Sequence, residues 1–255
     1  MIFTAHIGNT NIIITVFNGN DILFNAKISS KSDLSEDQIA MQIVDFCEFH
    51  NVNYKEINGG IIASVVPTLT GKIEKSFRKL CKGKIFIVGP GTKTGLNIKL
   101  DSPSELGADF VCSAVYAKEK YTLPLIIVDI SHTVKISALD KKGCFLGGSI
   151  MAGPEMCANA LSQGTAQLPH ISVYRPGALI GKNTVESMKS GIIYGSVAMI
   201  DGLIDKYKEE MEENDLTVIV TGEHSREMRS YFKHDVICEE NIISKGMNLI
   251  WNKNI

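Results

Sequence analysis

Two short polar turns hold the residues best suited to chemistry: "HIGNT" at 6 to 10 and "DISHT" at 129 to 133. Small residues in such a turn let backbone N–H groups come close to phosphate oxygens, and Thr or Asn side chains add donors without bulk. Gly8, Asn9 and Thr10 in the first turn, and Ser131, His132 and Thr133 in the second, are therefore candidate phosphate-binding residues. Phosphoryl transfer also needs a cation, a carboxylate to help hold it, and a base to orient the acceptor hydroxyl. Asp109 and Asp129 are the carboxylates to consider. Asp129 closes an apolar strand, where burying a charge is costly unless the carboxylate meets a cation or a donor. The plainer reading is a strand-end Asp satisfied by backbone.

The elements that must present these turns follow from the pattern around them. "IIITVF", the turn "NGND" and "ILFNAKI" predict antiparallel β-hairpins within the first 28 residues, with Asn-Gly supplying positive φ. Ser35 is a plausible N-cap for a helix with apolar residues at Ile39, Ile43, Val44 and Phe46. Strand "GGIIASVV" (59 to 66), a helix through "LTGKIEKSFRKL" and strand "KIFIV" (84 to 88) complete an α/β unit, and the loop "GPGTKTG" (89 to 95) follows. The second half repeats the plan with "PLIIVDI", "VKISALD" and "CFLGGSI". At a fixed offset, His6 to Thr10 fall on Asp129 to Thr133 with the Ile and the Thr shared, the footprint of an internal duplication. A long helix starts at Asn183-Thr184, "LTVIVTG" (216 to 222) is the next strand, and "NIISKGMNLIWNKN" is an amphipathic closing helix. The expected domains are residues 1–119 and 120–255.

Composition narrows the partners. With 44% hydrophobic and 21% charged residues and a net charge of -2, the chain offers no electrostatic reason to bind nucleic acid or an anionic membrane, which favours a small-molecule ligand. Apolar runs such as "PLIIV" are strand-sized and far short of the roughly 20 residues a membrane helix needs. No basic leader region or cleavage site precedes the first strand, so a cytoplasmic location is expected. Cys47, Cys81, Cys112, Cys144, Cys157 and Cys238 form no C-x-x-C pair, which predicts buried free thiols.

Several segments resemble type III pantothenate kinase: "IGNTN" (7 to 11), "SVVP" (64 to 67), "GPGTKTGLNI" (89 to 98), "ELGAD" (105 to 109), "GG" (147 to 148), "TAQLP" (165 to 169) and "IGKNTVESMKSGIIYG" (180 to 195). They run in order over most of the chain. The resemblance implies an α/β protein of two actin-like (ribonuclease H-like) domains, with mixed sheets flanked by helices and a cleft between the domains. It implies ATP-dependent phosphorylation of pantothenate, the first step of coenzyme A synthesis, using Mg²⁺ and a monovalent cation (K⁺ or NH₄⁺). Asp109 matches the catalytic base and Asp129 the carboxylate that helps bind the monovalent cation. Gly89, Gly91, Thr94 and Gly95 match the pantothenate loop. Thr165 and Thr184 match substrate-contacting positions, one of them across a homodimer interface. Gly222 falls in the nucleotide region.

The departures cluster on the nucleotide side. The family's D-x-G-N-T begins here with His6, a poor ligand for hard Mg²⁺. Phe110 replaces an arginine that would pair with the substrate carboxylate. In "DISHTVK", Ser131 replaces a glycine, and His132, Val134 and Lys135 replace threonines; Glu223 replaces a second glycine after Gly222. Together these predict a fold-preserving member with impaired catalysis, since one preorganised donor can be worth about 10²–10³ in rate. Three alternatives differ in kind. One is an active kinase in which Lys135 supplies charge to a phosphate. Another is a non-catalytic ligand-binding or regulatory paralogue, either a homodimer or a heterodimer with an active subunit. A third is a transition-metal site using His6, His132, Asp129 and Glu223.

Overall fold

The computed structural model describes residues 1–255, and its chain contacts divide them into two compact units. The first comprises Met1–Leu96, Asp101–Glu119 and Ile242–Ile255. Its sheet holds β1 (Ile2–Ile7), β2 (Asn11–Asn18), β3 (Asp21–Ser29), β4 (Gly60–Ser64) and β5 (Ile85–Ile87) in the order β3-β2-β1-β4-β5. β1 pairs antiparallel with β2 and parallel with β4. The β2–β3 hairpin closes at Gly19, whose φ of 61° explains the glycine. Helix α1 (Glu36–Phe49) starts on a complete capping box in which Ser35 and Gln38 satisfy each other's backbone N–H groups. Helix α2 (Pro67–Leu80) has proline in its first turn, where the missing N–H costs nothing. Phe3, Ile14, Ile43, Ile62 and Phe77 form the buried centre, and the Phe3 and Phe77 rings stack with centroids 5.0 Å apart.

The second unit comprises Asn97–Leu100 and Lys120–Asn241. β6 (Asn97–Ile98), β7 (Leu125–Ile130), β8 (Thr133–Leu139), β9 (Cys144–Ala152), β10 (Thr217–Thr221) and β11 (Ile237–Cys238) lie in the order β11-β10-β7-β8-β9-β6. Apart from the added β6 edge, the order and strand directions repeat those of the first sheet: β7 is antiparallel to β8 and parallel to β10, as β1 is to β2 and β4. Even the ladder irregularity recurs, between Val16 and Phe17 in one unit and Ala138 and Leu139 in the other. The duplication legible in five residues thus extends to the whole sheet. Helix α5 (Thr184–Glu210) starts at Asn183, whose side chain accepts from Glu186 N–H, and buries Met188, Ile193, Val197, Ile200 and Ile204 in this unit's core.

The units differ from a single cut after Glu119 in two places. Residues 97–100 join the second sheet because β6 pairs parallel with β9. Helix α7 (Ile242–Asn254) joins the first unit, where Trp251 packs edge-on to Phe86 at 5.2 Å and Gly246 lies against the Cys112 carbonyl. Two helices lie where the sequence reading set none: α3 (Ala108–Lys120) and α4 (Pro154–Gly164). In α3, Val111, Cys112, Ala114, Val115 and Ala117 are all buried, so the helix lacks the apolar stripe that periodicity detects. No helix is long and apolar enough to cross a membrane.

Candidate functional site

In the first unit, β1 and β2 present the turn Gly8-Asn9-Thr10. It is closed by Gly8 N–H donating to Asn11 O at 3.0 Å, and Ser30 ties it to the end of β3 through Thr10 O (2.9 Å) and Gly8 O (2.7 Å). His6 is partly buried beneath it, its ring so close that a Cβ on Gly8 would sit 3.8 Å from Cε1. The position where a metal-directed carboxylate is expected is therefore filled by an imidazole packed under the turn.

The loop 89–95 is rigidly built. Gly91 and Gly95 have φ of 88° and 71°, conformations that L side chains rarely adopt. Thr92 Oγ1 accepts from Gly89 N–H at 3.1 Å, and Thr94 Oγ1 accepts from Leu96 N–H at 3.2 Å. Three residues that the sequence did not single out hold the outside of this loop. Asn254 pairs with the Lys93 backbone, Lys253 Nζ reaches Thr94 O at 3.4 Å, and Lys118 Nζ donates to Gly95 O at 3.1 Å. Two of them lie at the far end of the chain, and only their amphipathic context was readable.

Asp109 sits in the first turn of α3, only 5% exposed, where the helix N-terminus favours a carboxylate. Its Oδ1 accepts from Phe110 N–H at 2.9 Å, and a Cβ at Gly107 would lie 2.6 Å from that oxygen, so a side chain at 107 would push the carboxylate out of this position. Phe110 is half-buried beside it.

In the second unit, β7 and β8 present the turn Ser131-His132-Thr133. This hairpin is tighter than the first: Ile130 pairs with Val134, whereas Ile7 pairs with Ile12, so the second loop encloses one residue fewer. The consequence is a register change that places Lys135 directly opposite Asp129, where His6 faces Ile13 in the first unit. Lys135 Nζ lies 2.9 Å from Asp129 Oδ2, and Ser131 Oγ donates to Asp129 Oδ1 at 2.5 Å. Two glycines let backbone close in. A Cβ on Gly153 would meet Ser131 O at 2.2 Å, and one on Gly222, at φ 97°, would meet Asp129 Oδ1 at 2.5 Å.

Beyond Gly222 a cleft of about 420 Å³ opens, lined among others by Glu155, Asn159, His170, Tyr174, Glu223, His224 and Glu227. Three carboxylates and no Lys or Arg line it. Glu155 Oε1 approaches His224 Nε2 to 2.7 Å, an ion-pair distance without hydrogen-bond alignment. Thr165 and Thr184 lie elsewhere in this unit, both exposed. Thr165 Oγ1 donates to Leu161 O at 2.8 Å at the end of α4, and Thr184 opens α5.

The donor set does not suit the expected ions. A hard divalent cation needs several oxygen ligands, yet the first turn offers His6 and the Asp129 carboxylate is already engaged by an ammonium and a hydroxyl. Within the second unit, Asp129, His132 and Glu223 do not gather into a metal-holding group.

Two sheets of the same strand order, each opening on a hairpin with a polar turn, define the actin-like ATPase fold. Similar solved structures include a protein described as a Baf family transcriptional activator from Campylobacter jejuni, with 18% identity, TM-score 0.61, and coverage of 99% of this chain and 98% of that one. The activator of 2-hydroxyisocaproyl-CoA dehydratase from Clostridium difficile with bound ADPNP matches at 12% identity and TM-score 0.52, over 97% and 91% of the two chains. MreB 5 of Spiroplasma citri bound to AMPPNP matches at 8% and 0.53, over 99% and 96%. The sequence model of type III pantothenate kinase matches residues 2–206, and the chain belongs to that family.

Proposed function

We propose that this chain is a ligand-binding member of the type III pantothenate kinase family in which ATP-dependent phosphorylation of pantothenate is impaired. The observation that carries this reading is the cleft beyond Gly222, lined by Glu155, Glu223 and Glu227 without a Lys or Arg. The resemblance puts the nucleotide region at Gly222, so a nucleotide entering there would meet carboxylates and no lysine or arginine to neutralise its phosphates. His6 under the first turn supports the same conclusion, because an imidazole does not replace a carboxylate toward Mg²⁺. The loop 89–95 and Asp109, by contrast, retain a built geometry, which supports assigning the ligand to them: pantothenate or an analogue, contacted through Gly89, Gly91, Thr94 and Gly95 as the resemblance implies.

The test is turnover of purified protein with ATP, Mg²⁺, K⁺ and pantothenate, alongside calorimetry with ATP and pantothenate separately. Turnover at least about 10²-fold below a competent family member is expected from the lost electrostatic stabilisation. Pantothenate or its amide should bind. Ordinary kinase rates would overturn the impairment, and failure of both ligands to bind would overturn the retained site.

Self-association is part of the proposal. Eight of the fourteen large exposed hydrophobic side chains fall between residues 150 and 199, among them Ile150 (67% exposed), Leu179 (65%) and Ile180 (80%). That concentration supports a dimer formed through the second unit, with Thr165 or Thr184 contributed across it. A heterodimer with an active subunit is the second reading, favoured by the same exposed side chains together with the compromised nucleotide side. A cytoplasmic location belongs to the same proposal.

A further inference from the structure

Asp129 and Lys135 form an ion pair with little access to water. Their side chains are 12% and 15% exposed, the carboxylate and ammonium are 2.9 Å apart, and the two residues are direct partners in the β7–β8 ladder. The other carboxylate oxygen accepts from Ser131 Oγ at 2.5 Å, and the close approach of the Gly222 backbone covers the same side. A desolvated carboxylate requires a counter-charge, and here it is covalently supplied. A second cation entering beside Asp129 would have to displace the ammonium or share a buried place with it, against direct repulsion at short range.

We infer that Lys135 is a tethered cation, its ammonium standing at Asp129 where the resemblance implies a dissociable K⁺ or NH₄⁺ ion, so that this chain takes up no monovalent cation there. A lysine ammonium and NH₄⁺ present the same N–H donors to a carboxylate. The difference is that the lysine never dissociates and brings no dependence on salt identity. Its placement follows from the tighter second hairpin: one residue fewer in the turn rotates position 135 onto the face and register of Asp129. The inference does not rest on impaired catalysis, since an active and an inactive chain would share the same indifference to K⁺.

The test needs neither nucleotide nor pantothenate, so its outcome is separable from that of the kinase assay. Melting temperatures are compared in KCl, NH₄Cl and tetramethylammonium chloride at equal ionic strength, for the wild type and for Lys135→Thr. The wild type should melt within about 1 °C across the three salts, less than the shift that even 1 kcal/mol produces in a protein of this size. Lys135→Thr should melt lower than wild type in tetramethylammonium, which is too large to enter, and recover at least half of the loss in K⁺ or NH₄⁺. Stabilisation of the wild type specific to K⁺, or a folded Lys135→Thr indifferent to the salt, would overturn the inference. Thallium-205 NMR of the wild type keeps the question decidable if the variant does not fold. No saturable Tl⁺ site is expected, and a site that Asp129→Asn abolishes would sink the idea.

Discussion

Asn254 pairs with Lys93 in both directions across 161 residues of sequence: its Oδ1 accepts the Lys93 N–H at 3.1 Å and its Nδ2 donates to the Lys93 carbonyl at 3.0 Å. A side-chain amide thus imitates a strand partner for the middle of the glycine-rich loop, and the last turn of α7 becomes its outer wall. Asn254→Ala should leave the fold intact and cost about 1 kcal/mol, the usual net worth of such bonds. The amides of Lys93 to Gly95 should exchange with deuterium faster, and affinity for a ligand held by the loop should fall. Unchanged exchange at Lys93 would show that the loop holds itself without α7.

Two helical glycines should respond oppositely to the same substitution. A Cβ at Gly246 would lie 1.9 Å from the Cys112 carbonyl oxygen, a backbone atom that cannot give way without moving α3. Gly246→Ala is expected to destabilise by about 3 kcal/mol or more, at the upper end of overpacking costs. At Gly202, exposed on α5, an added Cβ meets nothing within 4 Å. Gly202→Ala should stabilise by about 0.5–1 kcal/mol through reduced backbone entropy of the unfolded chain. Urea denaturation of both variants provides the comparison.

The Asp140 carboxyl is held at about 2 against an ordinary 3.8. Burial alone would raise it, but the Lys99 ammonium at 2.8 Å and the N–H groups of Cys144 and Lys142 outweigh that effect. A folded value below the unfolded one means stability that is present above about pH 4 and lost as pH falls toward 2. Lys99 is half-exposed, so solvent screening reduces the contribution to about 1 kcal/mol. Asp140→Asn keeps an oxygen for the two N–H groups and loses the ion pair. It should cost about 1 kcal/mol at pH 7 and nothing near pH 2. A deficit that persists unchanged into acid would show that the lysine pair contributes none of it.

Phe110 bears on ligand choice. The family resemblance implies an arginine at this position paired with the substrate carboxylate, and phenylalanine offers no such donor. Pantothenate and its uncharged amide should therefore bind within about threefold of one another. Phe110→Arg should tighten pantothenate by about tenfold, the worth of a charge-assisted hydrogen bond, and leave the amide unchanged. Equal effects on both would place the ligand carboxylate elsewhere.

Much of the fold was legible because its signals are local. Ser35 and Gln38 announce α1, Asn183 announces α5, and Asn18-Gly19 closes the β2–β3 hairpin, each through groups within a few residues of one another. α3 was not legible, because burial around Val111, Cys112 and Ala114 removes the polar face that periodicity needs. Of the candidate site, the two turns and the residues Asp109, Asp129 and Glu223 were picked out from type and spacing, while the gathering of Glu155, Glu223 and Glu227 around one cleft was not legible. Those carboxylates come from α4, the segment after β10 and the short helix Ser225–Met228, which only the folded unit brings together.

By itself the sequence determined that Asp129 would end a buried strand and there meet a cation or a hydrogen-bond donor, since alternation and apolar runs are properties of neighbouring residues. Which group it met was decided by tertiary structure. At the duplication offset Lys135 corresponds to Ile12, the partner of Ile7, and nothing local indicates that the second turn is shorter by one residue. The side-chain period of a strand is two, so a one-residue change in register exchanges the faces that meet across a ladder. That change brings the ammonium onto the carboxylate.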